Sequence, residues 1–279
     1  MSRILVIGHV NLDIPIRLSG SLCSGGRFTA SFSKHRLGGG GANTSLALAL
    51  AGHQVTLAAA VGSGPDGDHL LEVLESYGVN LTQVLRHPGQ TRRVLVLLDD
   101  QGERTMVVED REETPLPVDR LVEIPASCLY ARSHVPGMTG LLKERLHQGW
   151  VVAALPPDLQ GTRPAHVLLA SADDLPDLPG QDLFAAALRI GGPHLKWLVV
   201  TKGSRGSTAF SSSSTIEVSA VPAEIADTTG AGDAFAAGLI HGLLRDKDIE
   251  SAMTTGAGWA AAAVASPTSV PPETIRNLA

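Results

Sequence analysis

Asp227-Thr228-Thr229-Gly230-Ala231-Gly232-Asp233-Ala234-Phe235-Ala236-Ala237-Gly238-Leu239 decides how the rest of the chain is read. A turn of small residues runs into an apolar, alanine-rich segment, and one carboxylate, Asp233, stands where turn becomes helix. Gly230, Ala231 and Gly232 carry almost no side chain, so their backbone N–H groups can approach a ligand closely, and the helix start adds the positive end of its dipole. A glycine-rich helix start is often only a tight turn. The carboxylate changes that reading, because an Asp facing a bound phosphate repels it, and its presence there points to chemistry. Phosphoryl transfer is the simplest such chemistry. Asp233 would take the proton of an attacking hydroxyl while the N–H groups of Gly230 to Asp233 hold the charge that develops on the transferred group.

Working outward, Ile4 to Ile7 is a continuous apolar run closed by Gly8, which predicts a buried strand of a parallel sheet. Asn11 and Asp13 follow at its exit, where open α/β sheets bind ligands; their donors and acceptors suit vicinal hydroxyls, and they suit a polar turn equally. Gly38 to Gly41 feeds a helix over Ala42 to Leu50, and four consecutive glycines imply close approach to the backbone or unusual dihedrals. Val55 to Val61 reads as a strand and Asp68 to Tyr77 as an amphipathic helix. Ile14 to Leu18 and Arg27 to Leu37 look like a hairpin, as do Thr91 to Leu98 and Glu103 to Glu109 about Asp99-Asp100-Gln101-Gly102. Arg92 opens the second pair. A charged residue there usually faces solvent, yet a guanidinium also suits a phosphate or carboxylate.

Beyond these, βα alternation continues through Ser127 to Ala131, Gly140 to His147, Trp150 to Leu155, Val167 to Leu169, Asp182 to Ile190 and Trp197 to Thr201. The pattern predicts a doubly wound, mostly parallel α/β sheet flanked by helices. Thr201-Lys202-Gly203-Ser204-Arg205-Gly206 closes its last parallel strand with a Gly-rich turn. The segment Ala252 to Val264 is a small-residue helix in which Ala257 and Gly258 leave room for a flat ring.

Composition bounds the function from outside. The 279 residues are 43% hydrophobic and 18% charged with a formal net charge of -6. That describes an ordinary globular chain with no basic footprint for nucleic acid. Two cysteines, Cys23 and Cys128, give neither a disulfide framework nor a zinc motif. No run is long and apolar enough for a membrane span or a leader, so a cytoplasmic enzyme is expected.

Asp227 to Leu239 resembles the C-terminal signature of the ribokinase-like, or PfkB-type, carbohydrate kinases. Gly38-Gly39-Gly40-Gly41-Ala42-Asn43-Thr44-Ser45 resembles their N-terminal motif. The resemblance implies a single domain over residues 1–279 with lid strands at about 13–37 and 91–110, and ATP, Mg²⁺ and in some cases K⁺ as cofactors. It implies that Asn11, Asp13, Gly39, Gly40 and Asn43 bind a small-molecule sugar. Ribokinase carries a lysine where this chain has Gly40, so ribose specificity does not follow. Relatives acting on sugar phosphates or acidic sugars often use arginine near Arg92. Thr201, Lys202, Gly203 and Gly206 match the loop on ATP, and Ala257 and Gly258 the adenine side.

The family's Asn-x-x-Glu, which organises magnesium through water, is here Ser171-Ala172-Asp173-Asp174, with Asp174 keeping the carboxylate. Asp227 and Thr229 match positions that contribute to a monovalent-cation site, and the lid implies a homodimer. A nucleoside kinase or a non-catalytic sugar or nucleotide sensor on the same scaffold are the rival readings.

Overall fold

The structure, a computed structural model, describes residues 1–100, 104–110, 114–268, 270 and 272–279. The proposed turn at 99–102 therefore lies partly outside the described residues. The chain opens with β1 (Arg3–Ile7), β2 (Asn11–Leu18), β3 (Ala30–Phe32), β4 (Arg36–Gly38), α1 (Gly40–Leu50), β5 (Gln54–Gly62), α2 (Pro65–Ser76) and β6 (Asn80–His87). It continues through β7 (Arg93–Leu98), β8 (Arg104–Val108), α3 (Val118–Leu121), β9 (Cys128–Ala131), α4 (Met138–Arg145), β10 (Trp150–Ala154) and β11 (Val167–Ser171). The last third is α5 (Gly180–Gly191), β12 (Trp197–Thr201), β13 (Ser207–Phe210), β14 (Thr215–Val218), α6 (Ala231–Leu243), α7 (Ile249–Val264) and α8 (Pro272–Leu278).

Nine strands form the main sheet in the order β14-β13-β12-β11-β10-β9-β1-β5-β6. Its pairs are parallel from β12 to β6, and β13 and β14 add an antiparallel hairpin at one edge. β1 shows why both faces are covered. Ile4 and Val6 join one buried cluster with residues of α1, α6 and α7, whereas Leu5 and Ile7 join a second with residues of α4 and α5. A strand apolar at every position can be stable only between two helical layers. The right-hand edge was not foreseen: β6 is an added strand, and its Asn, Thr, Gln, Arg and His residues leave it partly exposed, as edge strands tend to be.

A second sheet pairs β3, β2, β7 and β8, with β4 also on β2. Asn11 and Asp13 belong to its strand β2 and not to a turn. β4 runs antiparallel to β2 with Asn11 opposite Gly38 and Asp13 opposite Arg36, and it leads directly into α1. The outer residues Phe32, Met106, Val107 and Val108 of this sheet are exposed.

The small residues of α6 and α7 serve their packing. A Cβ on Gly238 would lie 2.8 Å from the Cα of Gly256. The two backbones thus approach more closely than larger side chains permit, which fixes the angle at which α6 presents its first turn. Among the described residues no helix is long and apolar enough to cross a membrane.

Candidate active site

Each glycine of the run 38–41 has its own steric reason. A Cβ on Gly38 would land on the Asp13 carboxyl group, and one on Gly41 would strike the backbone of Gly8 at the exit of β1. Gly39 has φ 91° with the His9 carbonyl 2.5 Å from its missing Cβ, so here the backbone conformation itself calls for glycine. At Gly40 a Cβ would stand 2.6 Å from Arg132 Nε and 2.8 Å from Asp233 Oδ1. The helix accordingly begins two residues earlier than the sequence pattern suggested, inside the glycine run.

That approach delivers Asn43 to Asp233. Asn43 Nδ2 donates to Asp233 Oδ2 at 3.0 Å, and the Thr44 hydroxyl donates to the Asp233 carbonyl at 3.4 Å. The other carboxylate oxygen, Oδ1, accepts from Arg132 Nε at 3.1 Å. Arg132 is a residue the sequence reading missed; it follows β9, at the carboxyl end of a parallel strand beside β1, which is the signal that could have found it. Gly40→Ala is expected to push Arg132 and Asp233 apart, lowering kcat about tenfold or more and costing roughly 1–3 kcal/mol of stability. Steady-state rates and a denaturant melt check both halves.

Gly230 at φ 82° turns the chain into α6, and no side chain caps that helix. Among the described residues no protein group accepts from the amides of Gly232 and Asp233; Gly232 is exposed, with open space where a Cβ would be. Uncapped amides on a dipole's positive end are an anion site. The carboxylate of Asp233 leaves the same turn.

Asp13 is 4% exposed. Burial pushes its carboxyl up to about 7, with Asp233 and Asp227 adding to the rise and Arg36 and Arg104 opposing it. Asn11 Oδ1 is buried without a hydrogen-bond partner among the described residues, an acceptor that a hydroxyl would satisfy. Asn11 and Arg92 line a small, open cleft together with Gly8, His9 and Ser133. Asp13, Asn43 and Asp233 do not line that cleft; they are buried in their own contacts.

The nucleotide candidates lie at the carboxyl ends of β11 and β12. Ser171 is the last residue of β11, and Asp174 ends the exposed single turn after it, close enough to Arg132 to favour the charged guanidinium. Among the described residues no three His, Cys, Asp or Glu gather to hold a metal. One solvent-facing carboxylate nevertheless fits a magnesium ion carried on nucleotide phosphates.

Thr201 donates its hydroxyl to the Ala170 carbonyl at 3.3 Å, and Lys202 Nζ lies 3.9 Å from Glu217. Gly203 begins the turn that Gly206 closes, with Gly206 packed against the Val218 carbonyl. On α7, Ala257 is buried and a Cβ on Gly258 would meet nothing within 4 Å, which leaves space for a flat ring. These residues fit a nucleotide.

Asp227 is 2% exposed and its Oδ1 accepts from the Thr229 amide at 2.8 Å, while the Thr229 hydroxyl is buried without a partner among the described residues. Its Oδ2 accepts from Arg36 Nη2 at 2.6 Å. The carboxylate expected to help hold a monovalent cation is thus already paired with a guanidinium.

A nine-stranded α/β sheet covered on both faces, with a smaller sheet beside the carboxyl ends of its strands, is the ribokinase-like fold. The profile of the pfkB family carbohydrate kinases matches residues 1–125 and 153–275. The chain belongs to that family, and its general activity is the ATP-dependent phosphorylation of a sugar or nucleoside.

Among curated relatives it is 31% identical over 266 residues to an ATP-dependent ribose-1-phosphate kinase of Halopiger xanaduensis, covering 91% of this chain and 88% of that one. It is 29% identical over 237 residues to a fructokinase of Escherichia coli, covering 74% and 76%. Solved structures match its fold, two ribokinases among them. Ribokinase from Cryptococcus neoformans in complex with ADP matches with a TM-score of 0.79 at 24% identity, over 99% of each chain. Arabidopsis thaliana ribokinase complexed with ribose and ATP matches at 0.79 and 21% identity, over 99% of this chain and 98% of that one.

Proposed function

We propose that this protein phosphorylates a hydroxyl of a small sugar or sugar derivative, with Asp233 as general base. The observation that carries the reading is one helix start, where the carboxylate of Asp233 is held by Asn43 beside the uncapped amides of Gly232 and Asp233. ATP, bound with magnesium, supplies the electrophilic phosphoryl group. Asp233 accepts the acceptor's proton at a carboxylate oxygen, and Asn43 and Arg132 fix the rotamer in which it does so. Gly230, Gly232 and Asp233 direct their N–H groups at charge that grows during transfer, so they stabilise the transition state more than the ground state; the Ala231 amide, expected to join them, donates to the Thr228 carbonyl at 3.4 Å instead. Asn11, Asp13, Gly39 and Gly40 form the acceptor's side of the pocket. Ser171, Thr201, Lys202, Gly203, Gly206, Ala257 and Gly258 form the nucleotide's, and Asp174 would hold a magnesium ion, which would offset charge on the nucleotide phosphates.

One observation favours an acceptor that already carries a phosphate. Arg92 shares the cleft with Asn11, and a half-buried guanidinium beside polar hydroxyl-binding groups suits an anionic substituent. The ribose-1-phosphate kinase named above is in keeping with this. Coupled ADP-release assays on ribose, fructose, deoxyribose, ribose 1-phosphate, ribose 5-phosphate and adenosine test it. The expected result is the highest kcat/KM on a sugar phosphate. Arg92→Ala should raise KM for that substrate roughly 10–150-fold, the worth of a hydrogen bond to a charged group, and leave KM for a neutral sugar nearly unchanged. Best turnover on adenosine would replace the sugar reading with a nucleoside one, and no turnover on any of them would favour a sensor.

A further inference from the structure

Asp227 begins the turn that sets the amides of α6, and both of its carboxylate oxygens are engaged. Oδ1 fixes the Thr229 amide. Oδ2 meets Arg36 Nη2 at 2.6 Å, with the Arg36 and Asp227 side chains 16% and 3% exposed. The same guanidinium donates through Nη1 to the Pro267 carbonyl at 2.5 Å, in the turn that follows α7. A single positive charge therefore bridges a buried carboxylate and a backbone carbonyl from two separate segments, and one of those segments is the entrance to the anion site.

We infer that the Arg36 guanidinium is a tethered replacement for a monovalent cation, so the phosphate-binding turn is held by the chain's own charge and needs no K⁺. A second cation sharing Asp227 with Arg36 would meet like-charge repulsion at close range in a largely buried site. The planar fork also matches the two oxygens in direction, which a spherical ion does not need to do. A second arginine supports the same design independently. Arg104, on β8, donates Nη1 to the Thr228 carbonyl at 2.6 Å, the residue next to Asp227. Both arginines come from the second sheet, and Arg36 stands opposite Asp13 in the β2–β4 register. The acceptor's sheet and the phosphate-binding turn are thus fastened together by charge.

The inference rests on the nucleotide reading of the α6 turn, and its test separates the two. Thermal melts are run in KCl, NaCl and choline chloride at equal ionic strength, with and without ADP, on the wild type, Arg36→Ala and Arg36→Lys. The wild type is expected to melt at one temperature in all three salts and to gain the same stabilisation from ADP in each. Arg36→Ala is expected to melt lower and to recover part of the loss in KCl or with added methylguanidinium, and Arg36→Lys to fall between. A wild type whose melting temperature or ADP response is markedly greater in KCl than in choline chloride overturns the inference, even if no variant folds. Arg36→Ala with unchanged melting and ADP response in every salt overturns it too. ADP that fails to stabilise the wild type in any salt counts against the nucleotide site instead, while the salt series without ADP still decides on Arg36.

Discussion

Asp233→Asn is expected to lower kcat by about 10²–10⁴-fold, the usual worth of a positioned general base, with ADP and acceptor affinities close to wild type. The substitution keeps the shape of the side chain. What it removes is a group able to take the acceptor's proton, and it removes an acceptor as well. Arg132 Nε and Asn43 Nδ2 both donate to this carboxylate, at 3.1 and 3.0 Å, and a carboxamide offers only one oxygen to the two of them. One contact is lost, so a stability cost of about 1 kcal/mol accompanies the loss of rate. Asp233→Glu provides the complement: charge stays, but the carboxylate moves by a methylene and is pressed against the contact that Gly40 makes room for. A misplacement of that size costs about 10²-fold in rate. Initial rates by coupled ADP release, beside calorimetric titration of ADP, separate the two effects. Wild-type turnover by Asp233→Asn would place the base elsewhere.

How far the chain could be read in advance follows from how local each signal is. The α/β order came through because the parallel strands are short apolar runs between helical segments, as in Ile4 to Ile7, where every residue is buried. The strand Asn80–His87 did not, since an edge strand exposed to water carries polar residues and loses its apolar signature. The glycine run was conspicuous, but its meaning lay elsewhere in the chain. Asp13, His9, Arg132 and Gly8 each account for one glycine, and none of them adjoins it in sequence. The two arginines were illegible for the same reason. Arg132 meets Asp233 across 101 positions and Arg36 meets Asp227 across 191. In isolation each looks like one more surface charge. Only folding brings Arg132 onto Asp233 and Arg36 onto Asp227.

Asp13→Asn is expected to weaken acceptor binding while making the empty protein more stable at alkaline pH, and the two effects have one cause. The carboxyl of Asp13 is pushed from its usual 3.8 to about 7, chiefly by burial. Below about pH 4 it is protonated in both the folded and unfolded chain and contributes nothing to the pH dependence. Between about 4 and 7 the unfolded chain releases the proton that the folded chain keeps, so stability falls as pH rises; above 7 the loss is complete and the curve levels. A shift of about three units corresponds to roughly 4 kcal/mol. Asparagine does not ionise, so the difference in unfolding free energy between pH 5 and pH 8 should shrink in the variant by about 3 kcal/mol, the part of that loss that falls above pH 5. Urea titrations at the two pH values measure it, and equal pH slopes in the two proteins would mean that Asp13 ionises normally in the folded state. A buried carboxylate shifted this far beside a cleft is a candidate ligand-binding group. A sugar's hydroxyls donating to the ionised group would recover the cost on binding, which makes acceptor affinity fall as pH drops below about 7. Asp13→Asn should flatten that dependence and raise KM roughly 10–150-fold, as expected for losing a hydrogen bond to a charged partner.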